Sequence, residues 1–331
     1  MVLENVRTPF LSEFGFQSFP ALQTIRRYTE PEDRNIFSRV MEMHQRNSAA
    51  NGKILNYLSL TYLYPKNFDE LVYCSQLLQA EAIRYGVEHF RRHRGMCMGT
   101  VVWQLDDIWP VASWSSVDYY GNWKALHYAE KRIFAPILIS CEEHGEIDQK
   151  PFPNSLPVPV DVSADLHVAN ETGTEVTGTV KWSLRDPASK VLQEGQWEIH
   201  VPAYSGVWLP HLDFNGEDPL SVHLTYSFVI DGKTVSEGSS LFCAPKYYHF
   251  ADPKLTVFRD GDEITVTSQA YAKSVEIETE AGVLRLDDNF VDMESGKKVF
   301  HVLPGRDFTD AGNCFRDDIL RVRSVYETAE R

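Results

Sequence analysis

The sequence predicts an α/β segment followed by two all-β domains. In the first 140 residues, two short apolar strands are each followed by a helical pattern. After about residue 150, short segments alternate apolar and polar side chains, which is the period of strands buried on one face. The proline-rich stretch QKPFPNSLPVPV separates the two patterns. We therefore predict domain limits of 1–140, 141–248 and 249–331.

The α/β segment begins with FLSEFGF at residues 10–16, a short apolar and aromatic strand. The stretch TEPEDRNIFSRVMEMHQR then predicts a helix with Pro31 in its first turn, and a polar loop around Asn51-Gly52 follows it. Asn67 can cap the clearest helix of the chain, in which apolar residues recur at helical spacing as far as the basic stretch RRHRG.

The second strand is predicted in the continuous apolar run MGTVVWQL at residues 98–105. Such a run is expected of a strand that is buried on both faces in a parallel sheet. A loop rich in aromatic and acidic residues follows, and residues 123–134 form the last predicted helix. The alternation of strand and helix is the pattern of a (β/α) barrel, of which this segment supplies two of the eight strands.

The all-β region contains two sets of short strands. Asp231-Gly232 and Asp260-Gly261 each lie between alternating segments, where they predict tight hairpin turns. A unit of about 80 to 100 residues with several short strands is typical of an immunoglobulin-like sandwich. We therefore expect two immunoglobulin-like β-sandwich domains.

The composition argues against several classes of function. Lys and Arg number 32 against 47 Asp and Glu, and the resulting formal charge of −15 disfavours nucleic acid as a partner. No apolar run is long enough to span a bilayer, so we expect no membrane partner. The five cysteines are scattered and MVLENVRTPF has no signal-peptide pattern, so we expect a cytoplasmic protein with reduced thiols.

Glu13 is the one carboxylate in the strand FLSEFGF. Charged side chains are rarely buried unless they are paired or functional. The residues alone therefore leave two interpretations open. Glu13 is either a catalytic group or one member of a structural ion pair.

Three segments of the α/β region resemble the final third of the barrel in β-mannosidases of glycoside hydrolase family 2. They are FLSEFGFQSFP, SQLLQAEAIRYGVEHFRRHRG and WQLDDIWPVASWSSVDYYGNWKALHY. The segment LDDNFVDMESGKKV is similar to part of the last β domain of the same enzymes. The resemblance implies the last part of a (β/α)8 TIM barrel followed by two immunoglobulin-like domains.

The resemblance also implies roles for individual residues. Glu13 corresponds to the nucleophile of a retaining glycosidase, and Trp103 to the aromatic floor of the sugar subsite, with a cis peptide bond to Gln104. Asp107 and Trp114 are expected to line the sugar pocket, with capping and loop packing as alternatives. Asp106 stands where related sequences usually have Asn. Retaining hydrolysis of a β-mannoside oligosaccharide requires no metal ion or organic cofactor.

The acid/base glutamate of this family follows an asparagine at the end of an earlier barrel strand. The only Asn-Glu pair in the chain is Asn170-Glu171, in a predicted hairpin turn of the first β domain. We therefore expect a C-terminal fragment that carries the nucleophile, lacks the acid/base and is inactive alone. Its partner would be the missing N-terminal half of the same enzyme.

Two alternatives remain open at this point. One is a non-catalytic carbohydrate-binding or scaffold protein with a vestigial barrel piece, in which exposed aromatic residues form a sugar platform. The candidate platform residues are Trp182, Trp197, Trp208, Tyr247 and Tyr248. The other alternative keeps the enzyme family and changes the activity to that of a β-galactosidase or a β-glucuronidase.

Overall fold

The computed structural model describes residues 8–48, 50–145, 160–279, 284–304 and 320–330. The chain divides into two compact units that are each assembled from several segments. The first unit comprises Met1–Phe14, Ala82–Val102 and Glu130–Phe250, and the second comprises Gly15–Glu81, Trp103–Ala129 and Ala251–Arg331. Most of the proline-rich stretch and Cys314 lie outside the described residues, and the three predicted domain limits remain predictions.

Five α-helices are found in the described part of the α/β region. They are α1 (Leu22–Ile25), α2 (Arg39–Met43), α3 (Ala50–Thr61), α4 (Phe68–Arg92) and α5 (Ala125–Ile133). The predicted cap of α4 is confirmed, because the Asn67 side chain accepts a hydrogen bond from the Glu70 amide at 2.9 Å. None of the described helices is long and apolar enough to cross a lipid bilayer.

Two predictions for residues 30–52, one of a helix and one of a loop, are wrong. The stretch after Glu30 forms a short 3₁₀ turn at Pro31–Asp33 and then α2, which Ser38 caps by accepting a hydrogen bond from Met41 N. The polar loop predicted around Asn51-Gly52 is instead the first turn of α3. Asn51 is buried there, and its side-chain amide is satisfied because it donates to the Ile36 carbonyl at 2.6 Å.

The two strands of the α/β region pair in parallel, as predicted. Strand β1 (Leu11–Phe14) aligns with β2 (Thr100–Val102) in the first unit. The expectation that β2 is buried on both faces is wrong, because Val101 is 46% exposed. These two strands form a sheet by themselves among the described residues, so no further described strand lies beside β2.

Eight strands lie in the described part of the first β domain. They are β3 (Ile137–Glu143), β4 (Ser163–Asn170), β5 (Val176–Arg185), β6 (Val191–Val201), β7 (Ser205–Trp208), β8 (Leu212–Asp213), β9 (His223–Ile230) and β10 (Lys233–Leu241). One sheet has the order β10-β9-β5-β6, and the other has β3-β4-β7 with β8 also paired to β4. Alternate residues such as Leu166 and Phe228 are fully buried between strands, so the two sheets share one core.

The hairpin predicted at Asp231-Gly232 joins β9 to β10. Both residues have positive φ, 49° and 74°, which is the backbone of the turn that suits the twist of two-stranded hairpins. Only glycine and a few polar residues accept this conformation without strain, which is why the dipeptide is a reliable signal.

In the second β domain, the described residues form six strands in two three-stranded sheets. They are β11 (Thr256–Asp260), β12 (Glu263–Ser268), β13 (Ala272–Thr279), β14 (Val291–Met293), β15 (Gly296–His301) and β16 (Leu320–Arg323). The sheets have the orders β11-β12-β15 and β14-β13-β16. The predicted hairpin after Asp260 joins β11 to β12, and Ile264, Val275 and Phe300 lie in the core.

A buried cation joins α4 to the second β domain within the second unit. The Arg323 guanidinium lies 2.7 Å from Glu276 and 3.5 Å from Glu70, and its side chain is 10% exposed. Glu278 is 3.6 Å from the same group. The three carboxylates can lie at such low exposure only because the guanidinium lies between them, since an unpaired buried charge is strongly destabilising.

Arg323→Gln is therefore expected to lower the free energy of unfolding by about 3 kcal/mol, because it leaves three carboxylates without their cation. Urea unfolding monitored by tryptophan fluorescence measures the change. Arg321→Gln is the matched control, since Arg321 is exposed on the same strand and should cost less than about 1 kcal/mol. Equal losses in the two variants would contradict a special role for the buried cation.

Glu143, at the end of β3, is a second carboxylate whose ionised form is disfavoured by its surroundings. Burial raises its pKa to about 7 from the ordinary 4.5, and the nearby Arg84 opposes this shift. Because the folded state holds this proton more firmly than the unfolded state, stability is expected to fall as the pH rises from about 4.5 to about 7.

Glu143→Gln removes the cost of the ionised carboxylate, so we expect it to raise the Tm at pH 8 and to change it much less at pH 5. Scanning calorimetry at the two pH values measures the difference. Glu194→Gln, on an exposed part of β6, is the control and should show no such pH dependence. An equal effect of Glu143→Gln at both pH values would show that this carboxyl does not titrate between them.

Candidate active site

Glu13 lies on β1, one residue before its end, and is exposed. Its neighbour Phe14 contacts the Phe90 ring of α4 with the ring centroids 6.4 Å apart. Since successive side chains of a strand point to opposite faces, Phe14 anchors the strand while Glu13 faces away from that contact. Among the described residues, Glu13 is therefore accessible to solvent.

The loop after β2 carries the other predicted site residues. The cis peptide bond predicted between Trp103 and Gln104 is present. Trp103 is 48% exposed, whereas Trp114 is half-buried. The two ends of this loop meet because Gln104 N donates to the Trp114 carbonyl at 3.3 Å and Ser116 N donates to the Gln104 carbonyl at 3.1 Å.

The surroundings of Gly15, two residues after Glu13, explain why this part of the motif contains a glycine. A Cβ atom at Gly15 would overlap the carbonyl oxygen of Trp103 and would lie 3.0 Å from Cδ1 of Trp114. The backbone of the segment after β1 therefore packs directly on the loop that carries both tryptophans. The glycine is needed for this close approach, and not for a positive φ.

Asp107 is buried and organises the loop from inside. Its Oδ2 accepts hydrogen bonds from Ser115 at 2.6 Å and Ser113 at 2.8 Å, and its Oδ1 accepts one from Gln104 at 3.2 Å. Burial raises the pKa of Asp107, and the hydrogen bonds from the two serines oppose this shift. Both oxygens are thus engaged by the loop itself, which favours the loop-packing alternative, whereas the Asp106 side chain is exposed.

Gln79 is a supporting residue that the sequence reasoning missed. It is fully buried on α4, where its Oε1 accepts from Ser18 Oγ at 2.7 Å. Its Nε2 donates to the Phe16 carbonyl at 2.8 Å and to the Ser115 carbonyl at 3.2 Å. The signal in the sequence was the pair of glutamines in SQLLQAE, which interrupts the apolar stripe of the helix.

Asp118 holds the far part of the same loop and was also missed. Its carboxylate accepts from Thr24 Oγ1 at 2.6 Å and from the amide and side chain of Asn122. All of these groups are buried. An isolated aspartate in an aromatic loop gives no sequence signal that separates this role from a solvent-exposed one.

The structure gives Asn170-Glu171 a structural role. The Asn170 amide donates to the carbonyls of Thr174 and Pro202, at 2.8 and 3.1 Å, and Glu171 forms an ion pair with Arg94. The segment connects β4 to β5, which belong to different sheets, so the predicted hairpin turn is wrong. Both residues are occupied with holding this connection.

The candidate aromatic platform is not one surface. Tyr248 is buried, and Trp182 and Trp197 pack on the core of the first β domain. Trp208 and Tyr247 are each 43% exposed, but Trp208 packs on the His167 ring and Lys246 lies over the Tyr247 ring. The five side chains therefore serve mainly in packing.

Two family models and several known proteins are similar to this chain. A family model described as a mannosidase Ig/CBM-like domain matches residues 163–247, and one described as an Ig-fold domain matches residues 250–328. Beta-mannosidase B of Thermothelomyces thermophilus is 28% identical over 316 residues, which cover 88% of this chain and 36% of that protein. The chain is related to the C-terminal part of family 2 β-mannosidases.

Other β-mannosidases agree with this relation. The Capra hircus β-mannosidase is 36% identical over 142 residues, which cover 39% of this chain and 16% of the relative. The crystal structure of the Dictyoglomus thermophilum β-D-mannosidase matches with a TM-score of 0.78 at 22% identity, over 95% of this chain and 37% of that one. The chain thus resembles part of these β-mannosidases, and it spans about a third of the length of the β-mannosidase B that it matches.

The fold itself does not determine the sugar. The Amycolatopsis orientalis exo-chitosanase also matches, with a TM-score of 0.70 at 16% identity over 96% of this chain and 41% of that one. Identity this low shows a shared fold alone.

Gly15→Ala is expected to destabilise the protein by about 2 kcal/mol, because the added methyl group overlaps the Trp103 carbonyl and forces the loop to move. Thermal unfolding followed by tryptophan fluorescence measures the effect. Gly52→Ala is the control, since a Cβ there meets open space on α3 and should stabilise by roughly 0.5–1 kcal/mol. Destabilisation of the same size at both positions would contradict the packing explanation.

Proposed function

We propose that this chain is the nucleophile-bearing part of a retaining β-mannosidase that removes terminal β-mannose from oligosaccharides. The observation that carries the proposal is the position of Glu13 within S-E-F-G on β1, a strand that pairs in parallel with β2. In this proposal, residues 1–140 are the last two strands and helices of a (β/α)8 barrel. Catalytic groups of such barrels lie at the C-terminal ends of the strands, where Glu13 stands.

Glu13 has the properties that a glycosidase nucleophile requires. Its carboxylate is exposed, so a pyranose ring can approach it, while the Phe14 contact with Phe90 fixes the strand that carries it. In the first step its oxygen would bond to the anomeric carbon while the bond to the leaving oxygen breaks, and that oxygen would take a proton from an acid/base supplied by a further part of the enzyme. Water would then hydrolyse the glycosyl-enzyme and regenerate the carboxylate.

Trp103 is the proposed sugar-binding surface. Its half-exposed indole can cover the C–H face of a pyranose, and its electron-rich ring favours the positive charge that develops in the transition state. Trp114 is proposed to line the same pocket from its place against Gly15. Asp107 would act mainly by holding the loop, since both of its oxygens already accept hydrogen bonds from it.

The proposal assigns no acid/base to a residue of this chain. The only Asn-Glu pair is engaged in structural contacts, and a general acid contributes roughly 10²- to 10⁴-fold in rate. We therefore expect no turnover of ordinary aryl mannosides by the 331-residue chain alone. A further part of the same enzyme would supply the acid/base and the remaining pocket.

Two kinds of substrate distinguish the role of the nucleophile from that of the acid/base. The first set is p-nitrophenyl β-mannoside, β-galactoside and β-glucoside, on which the purified chain is expected to show no turnover. The second is 2-deoxy-2-fluoro-β-mannosyl fluoride, whose fluoride leaves without protonation and whose glycosyl-enzyme hydrolyses slowly. We expect a covalent adduct on Glu13, located by mass spectrometry of the peptides.

Glu13→Gln is expected to abolish the adduct, with a loss in labelling rate of more than about a thousandfold. Glu263→Gln, an exposed glutamate of β12, is the control and should label like the unmodified chain. An adduct on another carboxylate, or none at all, contradicts Glu13 as the nucleophile of this chain. Turnover of p-nitrophenyl mannoside that is lost in Glu13→Gln would keep the nucleophile and overturn the absence of an acid/base.

The second candidate function is non-catalytic carbohydrate binding by the first β domain. The observations that favour it are the description of the matching family as Ig/CBM-like and the exposure of Trp208 and Tyr247. Retention on mannan that survives Glu13→Gln and is lost in Trp208→Ala would support this function. Retention unaffected by Trp208→Ala would argue against it.

A further inference from the structure

Two histidines and one aspartate meet on the outer face of the first β domain. His144 follows β3, Asp165 lies in β4, and His211 directly precedes β8. The register pairs Glu142 with Asp165 and Leu212 with Ala164, so His211 lies opposite Asp165 and His144 lies diagonally across from it. The three side chains therefore form a row across three neighbouring strands, on one face of the sheet.

The opposite face of the same strand is the core. Ala164 and Leu166, which flank Asp165, are both fully buried. Because side chains alternate along a strand, Asp165 must point outward, where water and dissolved ions can reach it. The two histidines are exposed and Asp165 is half-buried, so the cluster is accessible but based on a rigid sheet.

The donor atoms of the cluster converge on one point. His144 Nε2 lies 2.7 Å from Asp165 Oδ2, and His211 Nδ1 lies 2.9 Å from Asp165 Oδ1. All three ligand atoms lie within 4.8 Å of one another. A tetrahedral zinc site with ligand bonds of about 2.0–2.2 Å places its ligand atoms roughly 3.3 Å apart. The rings and the carboxylate would have to shift by about 1 Å, which exposed side chains permit.

The kind of ligand determines the kind of ion. Two imidazole nitrogens with one carboxylate suit zinc and its neighbours in the first transition series, whereas calcium and magnesium require oxygen ligands in larger number. The formal charge of −15 on the chain also favours a cation over an anion.

We propose that His144, Asp165 and His211 form a binding site for a divalent transition-metal ion of the zinc type. The bound ion would link three strands of the first β domain. Water would complete the coordination. The site lies in the β-sandwich and has no part in the hydrolysis proposed for Glu13. Its role is structural, because an ion that binds the folded sheet and not the unfolded chain stabilises the fold.

The experiment uses the full chain, freed of metal with EDTA and dialysed. Titration calorimetry with ZnCl₂ is expected to show one saturable site, and cobalt(II) is expected to give the intense visible absorption of a tetrahedral complex. The Tm is expected to rise with the logarithm of the free zinc concentration. MgCl₂ at the same concentrations should produce no heat of binding and no change in Tm.

Single variants His144→Gln and His211→Gln each remove one ligand and should weaken zinc binding at least about tenfold. His200→Gln is the matched control, because His200 is an exposed histidine of the same domain that pairs with a carboxylate, Glu175, at 3.5 Å, and the described residues place no third metal-ligand side chain beside this pair. This variant should bind zinc like the unmodified chain. The Tm of each variant without metal shows whether it remains folded.

Two results overturn the proposal. One is the absence of saturable zinc binding by the unmodified, folded chain, which leaves two ordinary hydrogen-bonded ion pairs on the surface. The other is zinc binding of equal affinity in folded His144→Gln and His211→Gln, which would place the ion elsewhere. Loss of binding in both variants with retention in His200→Gln establishes the site.

Discussion

Helix α4 supplies the buried hydrogen-bonding groups on which the arrangement of the second unit depends. An irregular segment can be buried only if its backbone amides and carbonyls find partners. Ser75 Oγ accepts from Phe19 N at 3.2 Å, and Gln76 Oε1 accepts from Ala125 N at 3.3 Å. Gln79 bonds to both Phe16 and Ser115. One polar face of a helix thus fixes the segment after β1 and the loop after β2.

This support has a consequence for the proposed chemistry. Glu13 is followed by a segment whose backbone forms hydrogen bonds with α4 at Phe16 and Phe19. Trp103 begins a loop whose backbone carbonyl at Ser115 accepts a hydrogen bond from the same helix. Catalytic and binding groups act effectively when their own supports are rigid, since small displacements cost large factors in rate. The exposed side chains carry the proposed chemistry, and the buried Gln and Asp residues hold them.

Buried charge follows the same rule in other parts of the molecule. Arg323 is surrounded by Glu70, Glu276 and Glu278, and it also lies over the Tyr73 ring at 4.5 Å. A guanidinium at 10% exposure is acceptable because several carboxylates and one aromatic face replace its hydration. In contrast, the outward row His144–Asp165–His211 keeps contact with solvent, which leaves it open to an ion.

The sequence by itself determined the parts of the structure that depend on local pattern. These are the cap of α4, the Asp-Gly hairpins, the two all-β regions and the motif around Glu13, which resembles family 2 β-mannosidases. The tertiary structure decided what depends on distant partners. Helix α3 begins at Ala50 because Asn51 is satisfied by Ile36 and Gln45, and Asp107 organises its loop because Ser113 and Ser115 return to it. The row His144–Asp165–His211 exists because sheet register aligns residues far apart in the chain, a relation that no local pattern encodes.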